Sequence, residues 1–221
     1  MPPVIGVANG AMILEDQLFD NLTWESFDRQ LAPKVDGSRL LDELFYKAKL
    51  DFFILFTSLG NIIGNSGQAS YVAANQYMVA LAAQRKKRGV AGSAIAISSL
   101  LGIGYVERSE IFDSDHFTQI GYRNMSEQDY LQLFAEGVIV GKPDNPENSE
   151  IATGMSPTYD DHSIQAQFRS DPKFVHFIME KPDTQVLTGN TATIPTRVRL
   201  AGIKTTEEAA AVIKGNVICS R

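Results

Sequence analysis

A run from Asp51 to Ser58 limits the fold of this chain more than any other feature. It reads DFFILFTS, so both faces of an extended segment here carry apolar side chains. Gly60, Asn61 and Gly64 follow at once and bound the run at the length of a strand. A strand that is apolar on both faces is typical of the centre of a parallel sheet with helices on each side. The run therefore predicts an α/β fold.

The rest of the chain alternates between strand and helix signals. Three more apolar runs predict strands: Val4–Ala8, which ends at the turn signal Asn9-Gly10, then Ala94–Ile97, and Ile151–Thr153. Helical spacing predicts three helices: one from Thr23 to Phe45 with a break at Pro33, one from about Gln68 to Arg88, and one from Ser126 to about Glu136. This order predicts right-handed crossover connections and a Rossmann-like parallel sheet with helices on both faces.

Composition and charge argue against several classes of protein. Twenty Lys and Arg stand against 26 Asp and Glu, a net charge of −6, which disfavours nucleic acid as a partner. The single cysteine, Cys219, excludes a disulfide within the chain and predicts a reducing, cytoplasmic setting. The longest uncharged apolar run, Phe52–Phe56, is too short to span a membrane. The histidines at 116, 162 and 176 lack the spacing of metal ligands, so no metal site is predicted.

Candidate reactive residues cluster around the end of the central strand. Ser58 stands at its carboxyl end, where reactive groups gather in open α/β sheets. Tyr71 and Asn75 are four residues apart on the next helix and so share one face. The glycines of the connecting loop permit a tight return over the strand end. On these residues alone two interpretations remain open: an active site, or a strand end beside a packed tyrosine and a capping asparagine.

A family resemblance favours the active site. Ser58, Gly60, Gly67-Gln68, Tyr71 and Ala74-Asn75 resemble the active-site stretch of the short-chain dehydrogenase/reductases, and more narrowly that of the ketoreductase domains of polyketide and fatty acid synthases. Most of that superfamily carries Tyr-x-x-x-Lys, whereas the synthase ketoreductases have Asn at the fourth position and an earlier Lys.

Two further stretches extend the resemblance. Lys34 stands 24 residues before Ser58, and Ser58 stands 13 before Tyr71, as in the synthase pattern. Leu101–Val106 resembles the corresponding segment of fungal highly reducing synthases, including hybrids with a peptide synthetase.

The resemblance implies a role for each catalytic residue. Tyr71 would be the general acid, Lys34 would favour the phenolate electrostatically, and Ser58 would bind the carbonyl oxygen. Asn75 would position Lys34 or a water molecule. The implied reaction is the NADPH-dependent reduction of a β-ketoacyl group, carried on the phosphopantetheine arm of an acyl-carrier domain, to the β-hydroxyacyl.

The resemblance also implies a cofactor site and a domain order. The residues expected to bind NADPH are Ala8, Asn9, Gly10, Thr57 and Ser98. Residues 1–154 are expected to be the C-terminal half of a ketoreductase domain, without its first three strands and its glycine-rich loop. Residues 155–221 are expected to be an irregular tail that leads toward a carrier domain, so the chain alone is expected to show little or no activity.

Two alternatives remain beside this prediction. One is an inactive fragment that needs the missing cofactor-binding half. The other is a stand-alone short-chain dehydrogenase of unknown substrate, against which Asn75 argues.

Overall fold

The computed structural model describes residues 2–100, 114–159 and 166–180. The segment Leu101–Val106 and the tail beyond residue 180 lie outside the described residues. The strands and helices, in chain order, are β1 (Gly6–Asn9), α1 (Trp24–Leu31), α2 (Val35–Leu44), β2 (Phe52–Ser58), α3 (Gly60–Ile63), α4 (Ala69–Lys87), β3 (Ser93–Ile97), α5 (Ser114–Gln119), α6 (Glu127–Val140), β4 (Glu150–Ala152), β5 (Thr158–Tyr159) and β6 (Ile178–Met179).

Within the described residues the main sheet has four strands, all parallel, in the order β1-β2-β3-β4. Strand β2 pairs with β1 on one side, with Val7 beside Phe53, and with β3 on the other, with Leu55 beside Ala94. The predicted α/β fold with a parallel sheet is confirmed. The strand expected at residues 4–8 begins at Gly6 instead, because Val4 and Ile5 are exposed and lie outside the sheet.

Strand β2 is buried from both sides, as its sequence predicts. Phe53 and Leu55 belong to the apolar cluster that also contains Met78 and Leu81 of α4. On the opposite face, Ile95 of β3 and Ile54 of β2 lie against Gly137 of α6, where an added Cβ would stand 2.5 Å from Ile95 Cδ1. The two helices therefore cover opposite faces of one sheet.

Local sequence signals set the ends of the helices. The Thr23 hydroxyl accepts a hydrogen bond from the Ser26 amide at 3.2 Å and starts α1. A capping box between Ser126 and Asp129 starts α6. Pro33 falls in the turn between α1 and α2, where it ends one helix without disturbing the next.

A buried ion cluster ties α2 to α4. The Arg85 side chain is fully buried, donates to Asp42, and stacks on the Phe53 ring with 3.8 Å between its Cζ atom and the ring centroid. Arg88 donates to the same carboxylate at 2.5 Å. Asp42 thus forms ion pairs with both arginines. Without Asp42, the buried Arg85 would lack its counter-charge.

The compact unit that contains the sheet extends to Glu180, beyond the boundary at residue 154 expected from the sequence. Phe168 and Phe174 are buried here and pack with Ile62 and Ile63. An aromatic cluster therefore holds the described part of the expected tail against α3, which its proline-rich, polar sequence did not indicate. Within the described ranges, no helix is both long and apolar enough to cross a membrane.

Candidate active site at the carboxyl edge of the sheet

Lys34 is a buried ammonium group at the turn between α1 and α2. Its side chain is 2% exposed, and its Nζ atom donates to the Phe56 carbonyl oxygen at 2.8 Å. The same atom lies 5.2 Å from the centroid of the Tyr71 ring, within the range of a cation–π interaction. Burial lowers the pKa of Lys34 to about 8, so the charged form persists at neutral pH but with little margin.

Tyr71 lies in the first turns of α4, with its ring beside Lys34. Burial raises the pKa of its phenol, while the nearby Asn75 and Ser58 side chains act in the opposite direction because they favour the phenolate. The hydroxyl makes a weak contact of 3.7 Å with Met12 Sδ. A phenol in this setting holds its proton at neutral pH and can give it to a stronger base.

Ser58 ends β2 and faces the start of α3. Its Oγ atom accepts a hydrogen bond from the Gly60 amide at 3.1 Å. Because that bond occupies a lone pair of Oγ and leaves its proton free, the hydroxyl can donate to another group. The helical turn of α3 that follows Ser58 therefore orients the hydroxyl as a donor.

Asn75 is fully buried one turn after Tyr71 on α4. Its amide is near enough to the Tyr71 hydroxyl to lower the pKa of that phenol, but neither polar atom of the amide meets the geometry of a hydrogen bond with a described residue. A buried amide without partners is costly, by about 1–3 kcal/mol, unless water or a ligand satisfies it. Its position next to Tyr71 makes it a binding point for such a group.

A loop between β1 and α1 closes one side of the site. The Gln17 amide donates to the Gly67 carbonyl at 2.8 Å, and the Gln68 side chain donates to the Asp16 carboxylate at 3.0 Å. These two bonds hold the loop against the segment that precedes Tyr71. They also explain why Met12 reaches the Tyr71 hydroxyl.

The five residues predicted to bind a cofactor lie along the carboxyl ends of β1, β2 and β3. Ala8 and Gly10 are exposed, whereas Thr57 is 1% exposed and its hydroxyl has no partner among the described residues. Ser98 donates to the Gly154 carbonyl at 3.3 Å. The structure thus brings these residues and the four catalytic candidates to one edge of the sheet.

Asn9 is committed to a structural role. Its amide nitrogen donates to Ser38 Oγ at 2.9 Å and to the Pro33 carbonyl at 3.3 Å, and its amide oxygen accepts from the Ala11 amide at 3.0 Å. These bonds tie the end of β1 to the turn that carries Lys34. A contact from Asn9 to a cofactor would therefore come from its backbone.

Tyr122 borders the site and was not among the predicted residues. It is 5% exposed, and its hydroxyl oxygen lies 3.3 Å from the point that a Cβ atom on Gly60 would occupy. Burial, with a smaller contribution from the nearby Tyr71 phenol, raises the pKa of Tyr122 to about 12. No sequence signal singles it out, because a long stretch of chain separates it from β3, the strand before it.

Comparison with known proteins agrees with this geometry. The KR domain family matches residues 1–102, which include all four catalytic candidates. A hybrid PKS-NRPS synthetase, prlS, of a fungal species (strain NRRL 50135) is 60% identical over 97% of this chain, and the match covers 5% of that protein. Equisetin synthetase eqxS of Fusarium heterosporum is 54% identical over 98% of this chain and 6% of its own length.

Solved structures share the fold as well. The ketoreductase PlmKR1, from the first module of phoslactomycin biosynthesis in Streptomyces sp. HK803, superposes with a TM-score of 0.61 at 27% identity. The match covers 69% of this chain and 34% of that one. The chain therefore spans about a third of that ketoreductase and about a twentieth of the two synthetases.

Proposed function

We propose that the site reduces the ketone of a β-ketoacyl thioester to the β-hydroxyacyl thioester, as the match of residues 1–102 to the KR domain family suggests. The observation that carries the proposal is the convergence of three groups on one edge of the sheet. These are a protonated phenol at Tyr71, a buried ammonium at Lys34 and an oriented hydroxyl at Ser58. Polar donors and a proton source of this kind are what ketone reduction requires.

The residues at the strand ends fit a nicotinamide cofactor, for which we propose NADPH. Ala8 and Gly10 present little side chain at the end of β1, and the unpartnered Thr57 hydroxyl supplies a buried polar group at the end of β2. Ser98 follows directly after β3, and the backbone of Asn9 lies at the end of β1. The cofactor, when bound, supplies a hydride to the ketone carbon.

The proton follows a separate route through the side chains of the chain itself. The Tyr71 hydroxyl gives its proton to the ketone oxygen, so that the C=O bond becomes a C–OH bond and Tyr71 becomes a phenolate. The Ser58 hydroxyl donates a hydrogen bond to the same oxygen and holds it near Tyr71. Asn75, whose amide is buried and unpartnered, holds the water molecule that returns a proton to the phenolate.

Lys34 acts on this step through charge. An ammonium group beside the Tyr71 ring favours the phenolate that forms when the proton leaves. The hydrogen bond from Nζ to the Phe56 carbonyl fixes the ammonium group to β2, so its distance from Tyr71 does not depend on the conformation of a flexible side chain. The effect is stabilisation of negative charge between two buried side chains.

The substrate and setting follow from the synthetases that this chain is similar to. We propose that the β-ketoacyl group arrives on the phosphopantetheine arm of an acyl-carrier domain, in the cytoplasm and within a larger polyketide synthase. The 60% identity to a hybrid PKS-NRPS synthetase along nearly the whole chain supports this setting.

The proposal is tested by assay of the full-length synthase in which we propose that this chain lies, because the chain alone is expected to show little or no activity. Purified protein is mixed with NADPH and a β-ketoacyl N-acetylcysteamine thioester, and the loss of NADPH absorbance is followed together with formation of the β-hydroxy product. We expect turnover with NADPH. Tight NADPH binding without reduction of this thioester or of a simple ketone such as trans-1-decalone would contradict the proposed reaction.

A further inference from the structure

Three hydroxyl groups, not two, surround the place where the ketone would bind. A Cβ atom added to Gly60 would stand 3.3 Å from the Tyr122 hydroxyl oxygen and 3.4 Å from Ser58 Oγ. The two oxygens thus flank the same point, and the missing side chain of Gly60 leaves that point open.

The position of Tyr122 is fixed by backbone and ring contacts. Its amide donates to the Phe117 carbonyl at 2.9 Å, and the two rings meet edge to face with centroids 5.3 Å apart. Its backbone also forms an antiparallel bridge with Met155. A phenol held from three sides keeps its hydroxyl in one place, which is a condition for recognising a substrate atom.

The Tyr122 hydroxyl can act as a donor throughout the neutral range. Its pKa of about 12 keeps it protonated where the site works. A β-ketoacyl thioester offers two acceptor oxygens, one on the ketone and one on the thioester carbonyl. Ser58 and Tyr71 serve the ketone in the proposed function, so the thioester oxygen needs a different donor on the same wall.

We propose that Tyr122 is a substrate-binding residue, whose hydroxyl donates a hydrogen bond to the thioester carbonyl oxygen of the β-ketoacyl substrate. This inference rests on the proposed function and deepens it, because it assigns the second carbonyl of the substrate to a named residue. It makes the site selective for 1,3-dicarbonyl compounds over simple ketones. Tyr122 takes no part in proton transfer, so its loss weakens binding and leaves the chemical step in place.

The test is a cycle of two proteins and two substrates in the full-length protein. The proteins are the wild type and Tyr122→Phe, which removes a hydroxyl and keeps the ring. The substrates are a β-ketoacyl N-acetylcysteamine thioester and the matched thioether, in which a CH₂ group replaces the thioester carbonyl. KM and kcat are measured for all four combinations, and the dissociation constant of each ligand is measured by calorimetry. The matched control is Tyr130→Phe, which removes a hydroxyl from another tyrosine and keeps its ring, which stacks on Phe56.

The expected result is a coupling between the two changes. Wild type binds the thioester about three to ten times more tightly than the thioether, as one hydrogen bond allows, and Tyr122→Phe binds both alike. The value of kcat stays within about twofold. If Tyr122→Phe loses the same affinity for both compounds, or loses affinity for neither, the proposal is overturned.

Two safeguards keep the outcome readable. If Tyr122→Phe does not fold, the wild-type comparison still decides, because equal affinity for thioester and thioether overturns the proposal. If wild type reduces neither compound, the proposed ketoreductase function itself has failed. Reduction of both with no coupling leaves that function standing and removes Tyr122 from substrate recognition.

Discussion

The Lys34 ammonium group lies 5.2 Å from the centroid of the Tyr71 ring while it donates to the Phe56 carbonyl oxygen of β2 at 2.8 Å. One lysine therefore joins the turn between α1 and α2 to the central strand and faces the proposed acid on α4. Lys34 is 2% exposed, and burial of its charge lowers the free energy of unfolding unless hydrogen bonds or other charges compensate. The same residue therefore affects both stability and the proposed catalysis. The predictions below separate the two contributions.

Tyr71→Phe is expected to lower kcat by about 10²- to 10⁴-fold, the range attributed to general acid catalysis. NADPH affinity should remain, because the substitution removes one hydroxyl from a buried ring. Initial rates with the β-ketoacyl thioester and fluorescence titration with NADPH measure the two quantities. Tyr77→Phe, the same change further along α4, is the control and should stay within about twofold of wild type.

Ser58→Ala is expected to lower kcat by about 10²-fold, because it removes a donor to the developing oxyanion. Its effect on KM should be small, since the ketone is held more tightly in the transition state than in the ground state. Steady-state kinetics resolve the two constants. Ser66→Ala, at an exposed position in the following loop, serves as the matched control, and an equal loss in both variants would argue against the assigned role.

Activity is expected to fall as the pH rises above about 8. The buried ammonium of Lys34 has its pKa lowered to about 8 by burial, and deprotonation removes the charge that favours the Tyr71 phenolate. Profiles of kcat/KM against pH measure this limb. Lys34→Met should lower the plateau and remove the limb, whereas Lys87→Met at the exposed end of α4 should change neither.

The same lysine makes an opposite prediction for stability. Between pH 8 and its ordinary pKa of 10.5, the folded protein binds fewer protons at Lys34 than the unfolded chain does. The free energy of unfolding contributed by this residue therefore rises with pH across that window. Urea denaturation at several pH values should show this rise in wild type and lose it in Lys34→Met. A difference between the two proteins that is constant with pH would contradict the shift.

Asp42→Asn is expected to destabilise the protein by about 3–5 kcal/mol, because it leaves the buried Arg85 without a counter-charge. Burial alone would raise the pKa of Asp42, but hydrogen bonds from Arg88 and Arg85 outweigh it and lower the pKa. The stabilisation should therefore persist to mildly acidic pH and disappear as the pH falls through that lowered pKa. Equilibrium urea denaturation is the measurement.

The control for this variant is Asp36→Asn. Asp36 pairs with Arg39 across 3.5 Å on the surface of α2, where both side chains are about half exposed. Such pairs contribute about 0–1 kcal/mol. A similar loss of stability in the two variants would show that burial of Arg85 is not the cause.

Much of the fold follows from local sequence signals. The run from Phe52 to Ser58 is apolar on both faces and becomes the strand that α4 and α6 cover from opposite sides. Thr23, Pro33 and Ser126 fix helix ends by bonds or constraints within a few residues. Such features need no knowledge of the tertiary structure, and the sequence therefore predicts them.

What the sequence leaves unpredicted depends on contacts between distant residues. The resemblance predicts that Asn9 binds the cofactor, yet its side-chain amide donates hydrogen bonds to Ser38 and to the Pro33 carbonyl instead. The Tyr122 hydroxyl lies beside Gly60, 62 residues earlier in the chain, and no pattern in the sequence predicts that contact. The sequence places Phe168 and Phe174 in an irregular tail, but in the structure both rings pack against Ile62 and Ile63.

Local opening of the turn between α1 and α2 would remove the proposed activity before the sheet unfolds. Three elements meet there: the end of β1 through Asn9, the central strand through Phe56, and α4 through the Tyr71 ring. If the turn opens locally, the sheet and α4 keep their packing while the Lys34 charge swings away from the phenol. A partly opened molecule would then lack the charge that favours the phenolate, although its sheet and α4 would still be folded.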